Sequence, residues 1–201
     1  MSENINAVYK MPEVERESAN GIRPVSMVTT LFSDRKIFLF GDIDTDMLYS
    51  VTQQLMTLSQ EEGLIKVYIN SLGGEVNAGL AIYDQLQAMK VPVNIYCVGM
   101  AASMAAVLLA GGQKGHRFIL PHSKVMIHEP LIAGGVGGSA TSIQSTAESI
   151  LKTKELTNGL LAKHAGRTIE EINKATDHDN FMTAEEAVAF GICDAVVEDI
   201  F

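Results

Sequence analysis

Charge is scarce in this chain. Only 19% of its 201 residues are Asp, Glu, Lys or Arg, against about 25% in ordinary soluble domains. Surface with so little charge is expected to be covered, so an oligomer is anticipated. Basic residues are the scarcer sign: 15 Lys and Arg stand against 24 Asp and Glu, a formal net charge of −9. With no basic block anywhere, nucleic acid is not expected as a partner. Long apolar runs are missing too, although 47% of the residues are hydrophobic. None could span a bilayer, and the first residues lack the basic, apolar and cleavage regions of a signal peptide, so no membrane partner is expected and the reading is cytoplasmic. Cysteine is limited to Cys97 and Cys193, both in predicted strands, where a free thiol acts as a small hydrophobe. No CxxC or Cys/His spacing offers a metal site. The glycine-rich loop Leu131 to Gly138 lacks the Gly-Lys-Ser/Thr ending of a phosphate-binding loop, so no nucleotide and no other cofactor is expected on this chain.

What is present reads as one α/β domain, residues 23–201, behind a polar arm from Met1 to about Ile22. Ile37 to Phe40, Ile65 to Asn70 and Val93 to Val98 are short apolar runs, each followed by a helical pattern. Successive βα units imply parallel strands with right-handed crossovers, and ligands then gather beyond the carboxyl ends of the strands. Gly73, Gly74 and Ser103 all lie at such ends. Ala140 to His164 predicts a long helix closed by Gly166. It is longer than so small a core needs, and part of its apolar face is expected to pack on another subunit. Thr168 with Glu171 and Thr183 with Glu186 form two capping boxes.

Ser103 is the only hydroxyl in the apolar stretch Val98 to Ala110. With Gly99 as a sharp turn, the pattern predicts a helix over Ala101 to Ala110 and puts Ser103 in its first turn, where free N–H groups favour a developing oxyanion. An N-cap serine is the plainer reading. His128 closes the apolar run Val125-Met126-Ile127 and is a candidate base at a strand end. Asp177 and Asp179 serve as turn residues, or one of them orients an imidazole. A serine nucleophile needs such a base and such a carboxylate. The Gly74 N–H and the N–H after the serine, that of Met104, complete a candidate oxyanion hole.

Tyr68-Ile69-Asn70-Ser71-Leu72-Gly73-Gly74, Gly79 to Asp84, Gly99-Met100-Ala101-Ala102-Ser103-Met104, Val125-Met126-Ile127-His128 and Asp179-Asn180-Phe181-Met182 together resemble the landmarks of the Clp protease proteolytic subunits, in order, over roughly Ser33 to Val197. The resemblance implies a Clp protease/crotonase-like βα superhelix with a protruding helical handle at about 140–165. It implies a serine endopeptidase with Ser103 as nucleophile, His128 as base, Asp179 as the orienting carboxylate, and Gly74 and Met104 as backbone oxyanion donors. Members of the family self-associate as two stacked heptameric rings and receive unfolded polypeptides from an AAA+ unfoldase, so ATP belongs to the partner.

Several positions depart from the family's wording. Leu72 replaces a usual proline, His178 a usual arginine that helps join the rings, and Glu129 a common glutamine, while the loop Ile132 to Gly138 is longer than usual. These departures fit a divergent second paralogue in mixed rings, and they keep open a catalytically weak or inactive structural subunit. A third reading is an acyl-CoA enzyme of the related crotonase fold, which would not require Ser103 and His128 together.

Overall fold

A computed structural model describes residues 12–18, 21–132 and 134–200. Positions 1–11 and 19–20 of the polar arm lie outside the described residues. Within that stretch and just beyond it, β1 (Glu13–Ser18) pairs antiparallel with β2 (Gly21–Ser26). Helix α1 (Met27–Ser33) follows, its first turn capped by Ser26 Oγ, which accepts the Thr29 N–H.

The βα repeat then builds the core. Strand β3 (Lys36–Phe40) leads to α2 (Thr45–Leu58), β4 (Ile65–Ser71) to α3 (Val76–Ala88), and β5 (Val93–Ala102) to α4 (Met104–Ala110). The strands β3, β4 and β5 are parallel neighbours. On β4 the consecutive residues Val67, Tyr68 and Ile69 are all buried, as a parallel strand covered on both faces requires. Asp44 caps α2 by accepting the Met47 N–H at 2.8 Å, and Val51, Leu55 and Leu58 carry its buried stripe.

Strand β5 is longer than its apolar run suggests, because it serves two partners. Its first half pairs with β6 (Arg117–Ile119), and Met100 to Ala102 pair with β7 (Lys124–Ile127). Between the halves the register against β4 shifts, with Ile69 opposite Cys97 and Ser71 opposite Ala101. Gly99 therefore lies in a bulge, not in the turn expected of it. Alanine favours helix, but cross-strand pairing overrides that preference at Ala101 and Ala102, so the helix starts only at Met104.

Every residue of α4 is buried, and Leu108 and Leu109 are fully enclosed. Each such leucine contributes about 1.5–3 kcal/mol by leaving water. Gly79 on α3 makes room for this helix: a Cβ there would meet Met104 Cγ at 2.3 Å.

Helix α5 (Ala140–Ala165) extends from this core, and its buried residues, Thr157, Asn158 and Leu161, all fall in its second half. Gly166 ends it in the left-handed conformation. Both expected capping boxes are formed, on α6 (Ile169–Thr176) and, after β8 (Asn180–Met182), on α7 (Ala184–Phe190). The last strand, β9 (Ala195–Val196), starts two residues after Cys193, which was expected in a strand and lies outside it, buried. The sheet order is β3-β4-β5-β6-β9, with β7 beside β5 and β8 antiparallel on β7.

Arg117 locks the C-terminal ends of three helices together. Its Nη1 donates to the carbonyls of Ala110, His164 and Gly191, while Nε and Nη2 pair with the two Asp194 carboxylate oxygens. Nothing in the hydrophobic pattern signals this buried ion pair.

Candidate active site

Ser103 stands at the joint between β5 and α4, with φ 54° and ψ −122°. A serine at positive φ is strained, by about 1–3 kcal/mol, and persists only where its surroundings hold it. They do so from both sides. Its N–H donates to the Met126 carbonyl on β7 at 2.9 Å, and its carbonyl accepts the Ala106 N–H at 3.0 Å. The sharp joint lifts the side chain out of the strand and the helix alike.

Strand β7 also delivers the histidine. Two residues beyond Met126, His128 Nε2 lies 2.9 Å from Ser103 Oγ. On the other edge of the ring, Nδ1 lies 3.1 Å from Asp179 Oδ1. Asp179 immediately precedes β8, whose Asn180 pairs with Ile127, so the β7–β8 ladder brings carboxylate and imidazole together. An ionised carboxylate only accepts, which makes Nδ1 the protonated nitrogen and leaves Nε2 to accept the serine hydroxyl proton. The His128 side chain is 15% exposed and that of Asp179 61% exposed. Asp177, the other carboxylate considered, caps the C-terminus of α6 and faces Lys154, 4.0 Å away, instead of the imidazole.

The glycine turn after β4 closes the third side. Gly73 has φ +100°, and a Cβ on it would meet Ser103 Cβ at 2.7 Å and the Met104 nitrogen at 3.1 Å. Gly74 has φ +152° and bridges to Ile43: Ile43 donates to the Gly73 carbonyl and accepts from Glu75. That ladder does not use the Gly74 N–H. The Met104 N–H, at the first position of α4, has no intrahelical acceptor. Leu72, in the place of a usual proline, is exposed, and the turn is fixed through Ile43 and through Ser71 Oγ, which accepts the Gly73 N–H at 3.0 Å.

A cleft runs over Ser103 and His128 between Asp42, Asp44 and Glu75 on one side and Pro130 and Leu131 on the other. Beneath it a narrow recess is lined by Val76, Met104, Val107, Ile127, Thr157 and Leu161. Thr157 and Leu161 come from α5, and sequence reasoning did not assign them to the site. Their spacing of four puts them on one helix face, which was the available signal. Among the described residues no group of His, Cys, Asp and Glu is arranged to hold a metal ion.

This arrangement can deprotonate a hydroxyl and stabilise an oxyanion beside it, and comparison with known proteins gives the chemistry a lineage. The Clp protease family matches residues 18–199. The chain belongs to the Clp protease family. One relative, the ATP-dependent Clp protease proteolytic subunit of Ligilactobacillus salivarius (strain UCC118), is 45% identical over 191 residues, covering 94% of this chain and 96% of that protein. Membership makes the chain a peptidase and agrees with the parallel α/β architecture. Among the described residues, no helix is long and apolar enough to cross a membrane.

Proposed function

We propose that this member of the Clp protease family is a serine endopeptidase that hydrolyses peptide bonds of unfolded proteins and short peptides. The observation that carries the reading is the unbroken hydrogen-bonded chain from Ser103 through His128 to Asp179, starting at a strained serine. Ser103 Oγ attacks the scissile carbonyl carbon as its proton passes to His128 Nε2. Asp179 keeps the imidazole in the required tautomer and stabilises the imidazolium. The Gly74 and Met104 N–H groups receive the oxyanion of the tetrahedral intermediate. The imidazolium then protonates the leaving amine. Water, deprotonated by the same nitrogen, hydrolyses the acyl ester and restores Ser103.

The relative's name speaks of ATP dependence, and this chain carries no phosphate-binding loop. We assign ATP hydrolysis to an AAA+ unfoldase partner that feeds substrate to the peptidase. Self-association is supported by α5, whose Ile143, Leu151 and Leu156 are large apolar residues left exposed, and we assign it the form of two stacked heptameric rings. The compartment proposed is the cytoplasm.

Intact-protein mass after incubation with a serine-reactive phosphonate tests the reading. One adduct per chain is expected, absent from Ser103→Ala, which still assembles. Peptide cleavage retained by Ser103→Ala would refute it.

A further inference from the structure

The two segments that hold His128 and Asp179 meet on one face of α5. Lys154 Nζ donates to Glu129 Oε2 and lies 4.0 Å from Asp177 Oδ1. Glu129 directly follows His128, and Asp177 stands two residues before Asp179. One turn further along the same helix face, the buried Asn158 donates through Nδ2 to Thr176 Oγ1 at 3.0 Å and Asn173 Oδ1 at 2.8 Å. The Glu129 N–H in turn donates to the Thr176 carbonyl at 2.9 Å. The helix thus contacts the end of β7 and the end of α6 with two successive rungs, one ionic and one neutral.

We propose that Lys154 is a positioning residue for the His128–Asp179 pair, clamping the segment after β7 to the segment before β8 through Glu129 and Asp177. The proposal rests on the reading of Ser103, His128 and Asp179 as the catalytic triad.

Its physical content is geometric and electrostatic. Without the ammonium, Glu129 and Asp177 have no cation between them, and their repulsion pushes apart the two chain ends whose closeness sets the contact between Nδ1 and Asp179. The Glu129 hydrogen bond, with the charges of Glu129 and Asp177, holds the Lys154 pKa above its ordinary value against the opposing effect of burial. The clamp therefore stays charged throughout the range in which a histidine titrates. Asp179 contacts the imidazole and Glu129 adjoins it in the chain, while Asp177, His178 and Lys174 line a separate surface cleft beside the α6–β8 connection. Asp42, Asp44 and Glu75 line the cleft that also holds Ser103 and His128. In this predominantly acidic setting Lys154 is the cation tied directly to the segment that carries His128.

Loss of either end of the ion pair releases the clamp. With Lys154→Met and with Glu129→Ala alike, kcat for a short fluorogenic peptide is expected to fall about tenfold at unchanged KM, because the imidazole is less firmly placed while the cleft is intact. Lys154→Arg keeps the charge and restores kcat.

The experiment measures kcat and KM together with hydrogen–deuterium exchange, read by mass spectrometry, of the peptides that contain Glu129 and Asn180 in the full-length assembly. The second readout needs no turnover, and both variants are expected to exchange these amides about tenfold faster than wild type, with Lys154→Arg unchanged. If wild-type protein neither cleaves peptide nor reacts with phosphonate while exchange rises in both variants, the peptidase reading fails and the clamp stands. Should Lys154→Met fail to assemble, the exchange expected of Glu129→Ala still decides. In an active protein, exchange that matches wild type in both variants, or a kcat that does not fall, overturns the proposal.

Discussion

Ser103 donates its backbone N–H to the carbonyl of Met126, two residues before His128, whose Nε2 lies 2.9 Å from the Ser103 Oγ. Ser103 and His128 are therefore held by one ladder, β5 against β7, and their separation is as firm as that ladder's register. Ser123 pins the register where β7 begins. Its Oγ accepts the Gly99 N–H at 2.7 Å and donates to the Cys97 carbonyl at 3.2 Å. Ser123→Ala leaves a part-buried N–H in the β5 bulge without its acceptor, at a cost of about 1–3 kcal/mol. We expect a lower Tm by calorimetry and slower phosphonate labelling of Ser103, although Ser123 touches no reacting atom.

Asp179→Asn replaces an acceptor-only group by one that can donate through its amide. The imidazole then loses its preference for a proton on Nδ1, and Nε2 no longer reliably accepts from Ser103. Peptide turnover is expected to fall about a hundredfold to ten-thousandfold with assembly unchanged. The smaller figure is favoured because the Asp179 carboxylate is 61% exposed, where water shares the load. Steady-state hydrolysis of a short fluorogenic peptide checks this, and an unchanged kcat would remove Asp179 from the mechanism.

The βα repeat, both capping boxes and the long helix were legible in the sequence because each is a local pattern with a local cause. The end of β5 was not. Met100 to Ala102 become strand through pairing with residues more than twenty positions away, a contact that propensity does not encode. The same non-local ladder decides that Ser103 is a strained joint and not a residue of the first turn. Spacing also left Asp177 and Asp179 open as alternatives. Only the pairing of Ile127 with Asn180 turns Asp179 toward the imidazole, and only the handle helix draws Asp177 to Lys154. The Arg117–Asp194 pair left no trace, since an arginine opening an apolar strand reads as an edge residue until three helix ends are seen to converge on it.

Both thiols should be chemically silent in the folded protein. Burial pushes the Cys97 thiol up to about 12 despite a lowering contribution from Ser123. Burial also raises Cys193, aided by the neighbouring Cys97. At pH 8 the thiolate of Cys97 is then populated at about one part in ten thousand. Iodoacetamide is expected to modify neither cysteine in native protein at that pH and both in denaturant, as read by intact mass. Rapid native labelling of Cys97 would mean that the β5 bulge opens.

Gly74→Ala tests the proposed oxyanion donor without replacing Ser103, His128 or Asp179. The added methyl carbon would sit 2.2 Å from the Ile43 carbonyl oxygen, at a φ of +152° that alanine avoids. Relief requires the turn to move away from Ile43, carrying the Gly74 N–H with it. We expect phosphonate labelling of Ser103 to slow about a hundredfold, as loss of one oxyanion donor does elsewhere. The hydrogen bond between Ser103 and His128 should persist, so the pH dependence of labelling stays that of the wild type.

Acid stability should depend on Asp194. Burial alone would raise its pKa, but hydrogen bonds from the Arg117 side chain and backbone, the guanidinium charge and the Gly115 N–H together hold it below the usual carboxylate range. A carboxylate depressed in the folded state adds stability above its unfolded pKa of about 3.9, and that stability is lost as pH falls through the folded value. His164 acts in the same direction at higher pH. Burial first, then the charges of Lys163 and Arg117, lower its pKa, so its contribution is full above about 6.5 and declines as pH drops below that. Wild-type Tm should therefore fall in two stages on acidification, one below neutrality and one below about pH 4. Asp194→Asn leaves the buried Arg117 uncompensated, costs about 3–5 kcal/mol near neutral pH, and abolishes the lower stage. Calorimetry between pH 3 and pH 8 separates the two, and a variant that keeps the lower stage would show that other carboxylates govern acid unfolding.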